Sequence, residues 1–140
     1  MSDRKGFPLI ELMIVVLIVN ILAAIAQPRL SDVLVKARAA DAYADMQVVR
    51  VAALEFQANQ NGWPPDAARG VVPTGLDVYL PETFSLVKSD YQLDFDNWGR
   101  SPFEIGVTLI TIDASLGLNL LDILPAPKWN SGNKYSWVIE

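Results

Sequence analysis

An apolar run near the N-terminus, residues 9–26, limits the possible folds of this 140-residue chain more than any other feature. Glu11 and Asn20 are the only polar residues in it. A helix needs about 20 apolar residues to cross the ~30 Å hydrocarbon core of a bilayer. The sequence therefore predicts one membrane-spanning helix over residues 7–28.

Glu11 places a carboxylate inside this apolar segment. Such a group costs several kcal/mol in a bilayer and marks a functional site by default. If the chain is cut after Gly6, Phe7 gains an α-amine, which is a cation at neutral pH because its reference pKa is about 8. Glu11 of one subunit would then pair with the Phe7 amine of its neighbour. Losing one partner of a buried ion pair costs ~3–5 kcal/mol, so the pair would fix the register of packed helices.

At these residues the chain resembles the type IV pilins and the pseudopilins of type II secretion systems. Members carry a basic leader that ends in Gly, then Phe, then Glu four residues later. The chain has Arg4-Lys5-Gly6 followed by Phe7 and Glu11, and its apolar run is closed by Pro28. The resemblance implies that prepilin peptidase removes residues 1–6 and methylates the amine of Phe7. It also implies a structural subunit that assembles into a filament through its N-terminal helix.

The resemblance also implies a location and partners. The partners are copies of the chain, other pilin-like subunits, prepilin peptidase, the assembly platform of the inner membrane and its lipid. Arg4 and Lys5 favour a cytoplasmic N-terminus, which puts the C-terminal domain in the periplasm. The protein would start as a single-pass protein of the bacterial inner membrane. It would end in an extracellular pilus or a periplasmic pseudopilus. Its short length and lack of a disulfide favour a pseudopilin or minor pilin over a major pilin.

Three residues depart from the family pattern, and two other interpretations stay open. Pro8 stands where the family has Thr or Ser, Asn20 stands where it often has Gly, and Gln27 replaces a usual apolar residue before the proline. One alternative is a signal peptide cleaved after Ala26, which would release a periplasmic protein beginning at Gln27. The other is a membrane-anchored binding module that forms no filament.

The composition argues against several functions. The chain has no His and no Cys, so the usual catalytic bases and soft metal ligands are missing and no disulfide forms. Its net charge of −5 disfavours nucleic-acid binding. We expect no enzyme activity and no cofactor. Asp94, Asp96 and Asn97 are weak candidates for a calcium site, and the alternative is that they cap a turn.

The predicted fold is α+β, with a long N-terminal helix packed on a small antiparallel sheet and a short extra helix. The first helix continues amphipathically over residues 29–62, with a possible kink at Pro28 and an end at Asn61-Gly62. Its predicted apolar stripe comprises Leu30, Val33, Leu34, Ala37, Ala40, Ala44, Val48 and Val51. From about residue 43 the stripe widens to include Met46, Val49, Ala53 and Phe56.

Residues 63–140 form the predicted sheet domain. Alternation and β-branched residues predict strands over residues 84–87, 91–95, 104–112 and 134–140. Loops are predicted at residues 97–102 and 127–133. Asp113 is the predicted N-cap of a helix over residues 114–124. We interpret the four tryptophans, at positions 63, 98, 129 and 137, as core or subunit-contact residues rather than a carbohydrate surface.

Overall fold

The computed structural model describes residues 8–140, so the predicted leader and its cleavage point, Gly6 and Phe7, lie outside the described residues. The chain divides into two compact units, Met1–Leu34 and Val35–Glu140. The elements in chain order are α1 (Leu9–Gln60), a 3-10 turn (Asp77–Tyr79), β1 (Gln92–Arg100), β2 (Phe103–Ile110), α2 (Ala114–Ile123), β3 (Lys128–Ser131) and β4 (Lys134–Val138). The predicted α+β class is confirmed.

The part of α1 in the first unit is exposed along its whole described length. Every residue from 8 to 34 is exposed, including large apolar side chains such as Leu22 and Ile25. The helix continues through Pro28 without interruption. The kink predicted at this proline stays a prediction.

The part of α1 in the second unit buries a narrow face against the sheet. Its buried residues recur at intervals of three and four: Ala39, Ala42, Met46, Val49, Ala52 and Ala53. Of the predicted stripe, Val48 packs partly buried against the core, whereas Ala40, Ala44 and Val51 are exposed. Alanines and valines lie on several faces of this helix, so periodicity alone did not select the buried one. Of the widened stripe, Met46, Val49 and Ala53 are buried, and Phe56 packs partly buried against the core.

α1 ends where the sequence predicts, but a different residue turns the chain. Asn61 has a φ of 54°, the left-handed conformation that often follows a helix, and Gly62 does not share it. Asn61 donates its backbone N–H to the carbonyl of Gln57 at 2.9 Å. Asparagine tolerates this conformation better than most residues, which explains why it replaces the expected glycine.

The four strands form one antiparallel sheet in the order β1-β2-β4-β3. On the face toward α1, Phe95 pairs with Val107 and Val107 with Trp137. All three side chains are buried. On the other face, which we call the outer face, one row crosses all four strands; it comprises Asp94, Thr108, Ser136 and Trp129.

β1 is longer than predicted. It runs to Arg100, so only Ser101 and Pro102 form the turn to β2. The register shifts between Asn97 and Arg100, where Gly99 adopts a φ of 57°. Such a bulge lets a strand continue through residues that resemble a turn in sequence.

Two other strand predictions need correction. Residues 84–87 form no strand, and only Val87 makes an isolated bridge, to Gln92. The hydroxyl of Ser85 hydrogen-bonds the backbone of Val87, a local pattern that competes with strand pairing. Conversely, β3 occupies the predicted loop at 127–133. All of its residues are exposed, so no apolar alternation marks it.

α2 begins and packs as predicted. The Asp113 carboxylate accepts hydrogen bonds from the backbone N–H groups of Ser115 and Leu116, at 3.0 and 3.2 Å. Leu116 and Leu120 are buried. Gly117 lies directly against the ring of Tyr135, because a Cβ at that position would be 2.0 Å from the ring carbon Cζ. The glycine thus allows α2 to approach β4 closely.

Replacing Gly117 by Ala is expected to lower the free energy of unfolding of the Val35–Glu140 unit by about 1–3 kcal/mol, through overpacking against Tyr135. The gain in helix propensity, about 1 kcal/mol, offsets only part of this. Urea unfolding of the full chain in detergent, followed by near-UV circular dichroism, measures it. Gly62→Ala is the control, because no atom lies within 4 Å of a Cβ there. Equal or higher stability of Gly117→Ala would contradict the packing.

Candidate functional site

Glu11 lies in the first turn of α1. The carbonyl of Pro8 accepts hydrogen bonds from the backbone N–H groups of Glu11, at 3.0 Å, and Leu12, at 3.4 Å. Pro8 therefore precedes the helix, where its missing N–H costs no hydrogen bond. A carboxylate at a helix N-terminus is stabilised by the partial positive charge there. The fold thus accommodates Glu11 without needing an internal partner.

The apolar surface around Glu11 is unburied. The helix Leu9–Gln60 is long and apolar enough to cross a membrane, and the best apolar window in it has no residue buried within the chain. Among the described residues it is the one helix that meets this test. In water such an exposed apolar surface is unfavourable, and covering it with lipid or with other protein would remove that cost.

The predicted pair between Glu11 and the Phe7 amine joins two different subunits. Phe7 lies outside the described residues, so the pair stays a prediction. What the structure adds is the position of Glu11, which is exposed at the start of an apolar helical surface.

The three calcium candidates do not converge. Asp94 and Asp96 lie on the outer face of β1, because they alternate with the buried Leu93 and Phe95. Asn97 does not share this face. Its side-chain amide donates a hydrogen bond to the carbonyl of Pro64 at 2.8 Å. Within residues 8–140 no group of three or more carboxylates is placed to hold a metal ion.

Asp94 and Asp96 instead form a negative, partly buried pair. Burial raises the pKa of Asp94 to about 6, and the charges of Asp96 and Asp66 contribute. Burial also raises the pKa of Asp96, against the opposing effect of a hydrogen bond donated by Thr108. In the described part of the chain the ion pairs involve other carboxylates, those of Asp45, Asp90 and Asp113.

The raised pKa of Asp94 predicts a pH-dependent contribution to stability. The folded state binds this proton more tightly than the unfolded state, so the charged carboxylate destabilises the fold above about pH 6. The penalty disappears as the pH falls toward 4. Asp94→Asn should therefore be more stable than the native chain at pH 7, by ~1 kcal/mol after allowance for solvent screening of this partly exposed group.

Urea unfolding at several pH values between 4 and 7 measures this difference. The stability advantage of Asp94→Asn should shrink steadily toward pH 4. Asp122→Asn, at an exposed carboxylate of α2, is the matched control. An advantage that stays constant between pH 4 and pH 7 would contradict the assigned titration.

The tryptophans divide into two groups. Trp137 is buried, as predicted, 5.8 Å from the ring of Tyr43, and Trp63 packs partly buried against the core. Trp98 and Trp129 lie together on the outer face, with ring centroids 5.2 Å apart. Sequence reasoning missed this pair because Trp129 is on β3, the strand that it did not predict. The only signal was the spacing of aromatic residues in the turn and loop regions.

One comparison with known proteins identifies the N-terminal segment. The family model described as the prokaryotic N-terminal methylation motif matches residues 1–27. This match includes the predicted cleavage point and Glu11.

Relatives extend the similarity beyond the motif. The chain is 39% identical over 75 residues to the type IV major pilin protein PilE1 of Neisseria gonorrhoeae. This alignment covers 54% of this chain and 35% of that protein. It is 40% identical over 78 residues to the fimbrial protein EcpC of Eikenella corrodens, covering 55% and 51%. A fimbrial protein of Moraxella nonliquefaciens is 28% identical over 148 aligned positions, covering 96% and 95%.

The first two matches thus span between about a third and a half of those relatives. No solved structure matches the chain.

Proposed function

We propose that this chain is a type IV pilin and a structural subunit of a type IV pilus-like filament, and its similarity to type IV pilins and to the N-terminal methylation motif supports this. One observation carries the proposal: the apolar helical surface of residues 9–26 is exposed along its length and carries Glu11 in its first turn. Such a surface needs lipid before assembly and neighbouring helices afterwards.

Glu11 favours the assembled helix bundle over the helix in lipid. Lipid is already as apolar as leucine, so helices leave the bilayer for a bundle only through close packing and polar pairing. Glu11 is the one ionisable side chain among residues 9–26. Pairing it with the N-terminal amine of a neighbouring subunit removes the cost of an isolated carboxylate in an apolar environment.

Processing creates the partner for Glu11. In the proposal, prepilin peptidase cuts after Gly6 and methylates the amine of Phe7. The inner-membrane assembly platform then extracts the helix, with the C-terminal unit on the periplasmic side. Arg4 and Lys5, on the cytoplasmic flank, support this orientation.

The relatives favour a type IV pilus over a pseudopilus. The matching proteins carry the names type IV major pilin or fimbrial protein. This preference takes the place of the expectation of a pseudopilin, which rested on the short chain and the missing disulfide.

Glu11→Ala should abolish filament assembly while leaving the amount of protein in the membrane unchanged. The loss of a buried ion pair costs ~3–5 kcal/mol, which lowers the amount of filament by at least about a hundredfold. Filaments sheared from cells and quantified by immunoblotting measure the effect. Asp32→Ala, at an exposed carboxylate of α1 beyond the apolar segment, is the control. Normal filaments from Glu11→Ala would leave a membrane-anchored binding module as the better interpretation.

The mature N-terminus should be an N-methylated Phe7. Intact-mass and peptide mass spectrometry, with and without prepilin peptidase in the cell, test this directly. The methylated residue should vanish with the enzyme. A mature protein that starts at Gln27 would instead mean release by signal peptidase and would overturn the filament proposal.

A further inference from the structure

The outer face of the sheet carries two neighbouring cavities that share the rings of Trp98 and Trp129. The larger, of about 480 Å³, extends along the turn between β1 and β2 and includes Arg100 and Phe103. The smaller, of about 230 Å³, includes Asp94 and other polar residues of the outer face. Because both tryptophans border both cavities, the two form one groove, which we call the outer-face groove.

The aromatic part of this groove is held in place by the sheet. A Cβ on Gly106 would lie 2.3 Å from Cη2 of Trp98, so the indole rests directly on the backbone of β2. The ring planes of Trp98 and Trp129 are tilted by 41°, and Phe103 lies 5.7 Å from Trp129. Trp129 is 38% exposed and Phe103 is 42% exposed. The groove therefore presents rigid aromatic surface to solvent, which is typical of a ligand site.

Polar groups form the adjoining part of the groove. The hydroxyl of Thr108 donates a hydrogen bond to the carboxylate of Asp96, and its oxygen lies 2.7 Å from the hydroxyl oxygen of Ser136. Asp94 lies next to Thr108 across the strands. Among residues 8–140 no Lys or Arg forms an ion pair with Asp94, so its oxygens can accept hydrogen bonds from a ligand. Hydrogen-bond acceptors thus lie directly beside the indole faces.

The charges of the groove balance. The carboxylates of Asp94 and Asp96 are matched by the cations of Lys134 and Arg100, which border the same cavities. Nucleic acids need clustered positive charge, and this lining does not provide it. A ligand that is neutral and rich in hydroxyl groups fits best, since it needs both donors and acceptors.

We propose that the outer-face groove binds a neutral saccharide. One face of a sugar ring consists of C–H groups, which pack against an indole, and its rim consists of hydroxyl groups. In this groove Trp98 and Trp129 would bind the ring faces. The Asp94 carboxylate would accept from ring hydroxyls, and the Lys134 ammonium would donate to them. This role lies outside filament assembly and does not depend on it.

Titration calorimetry with the full chain in a zwitterionic detergent tests the proposal. Alkyl glycoside detergents must be avoided because their head groups are sugars. The probes are cellotetraose, maltotetraose and chitotetraose, followed by an array of neutral glycans. At least one glycan should bind with a Kd between about 10 μM and 1 mM.

Variants show where the glycan binds. Trp129→Ala, on the exposed edge strand, and Asp94→Ala should each raise the Kd by about tenfold or more. Trp129→Phe keeps an aromatic face and should raise the Kd by a smaller factor. Trp63→Phe is the control, since Trp63 borders neither cavity. Glu11→Ala should bind the glycan normally, which separates this proposal from the proposed filament function.

Three results would overturn the proposal. One is that no glycan of the panel or array binds at concentrations up to about 10 mM. A second is that Trp129→Ala, shown to be folded by circular dichroism, binds as tightly as the native chain. The third is that the groove, tested with a peptide library, binds a peptide through Trp129 and binds no glycan. That outcome would identify a protein-docking surface.

Discussion

The exposed apolar surface of residues 9–26 is the constraint on which the organisation of this protein depends. Within the described residues nothing buries this surface, and its large apolar side chains are exposed. The second unit has the opposite character, with a buried core shared by α1, the sheet and α2. One unit therefore has a buried core of its own, while the other leaves its apolar side chains exposed. Similarity to type IV pilins and the N-terminal methylation motif give that surface a biological context.

The sheet serves two purposes through its two faces. Toward α1 it buries Leu93, Phe95, Val107 and Trp137, which hold the unit together. Its outer face does not pack against α1, so Asp94 and Trp129 can lie on that face in one row. The period-two alternation of β-strands makes this separation possible, since neighbouring residues of one strand point to opposite faces. A binding groove is thus compatible with a rigid, well-packed domain.

Much of the fold was predictable from local patterns. The apolar segment, the end of α1 near Asn61, the Asp113 cap and the alternation of β4 each depend on residues close together in sequence. Glu11 was also evident, because a lone carboxylate in an apolar run is conspicuous. The N-terminal methylation motif that matches residues 1–27 agrees with this part of the prediction.

The sequence by itself determined the class of the protein: an exposed apolar helix with one carboxylate, followed by a small α+β domain. Tertiary structure decided which face of α1 is buried, that 128–131 is a strand, and that Asn97 diverges from Asp94 and Asp96. It also brought Trp98 and Trp129 together. Local sequence encodes periodicity and caps. Pairing between distant strands depends on which complete arrangement buries the most apolar surface, and no single segment contains that information.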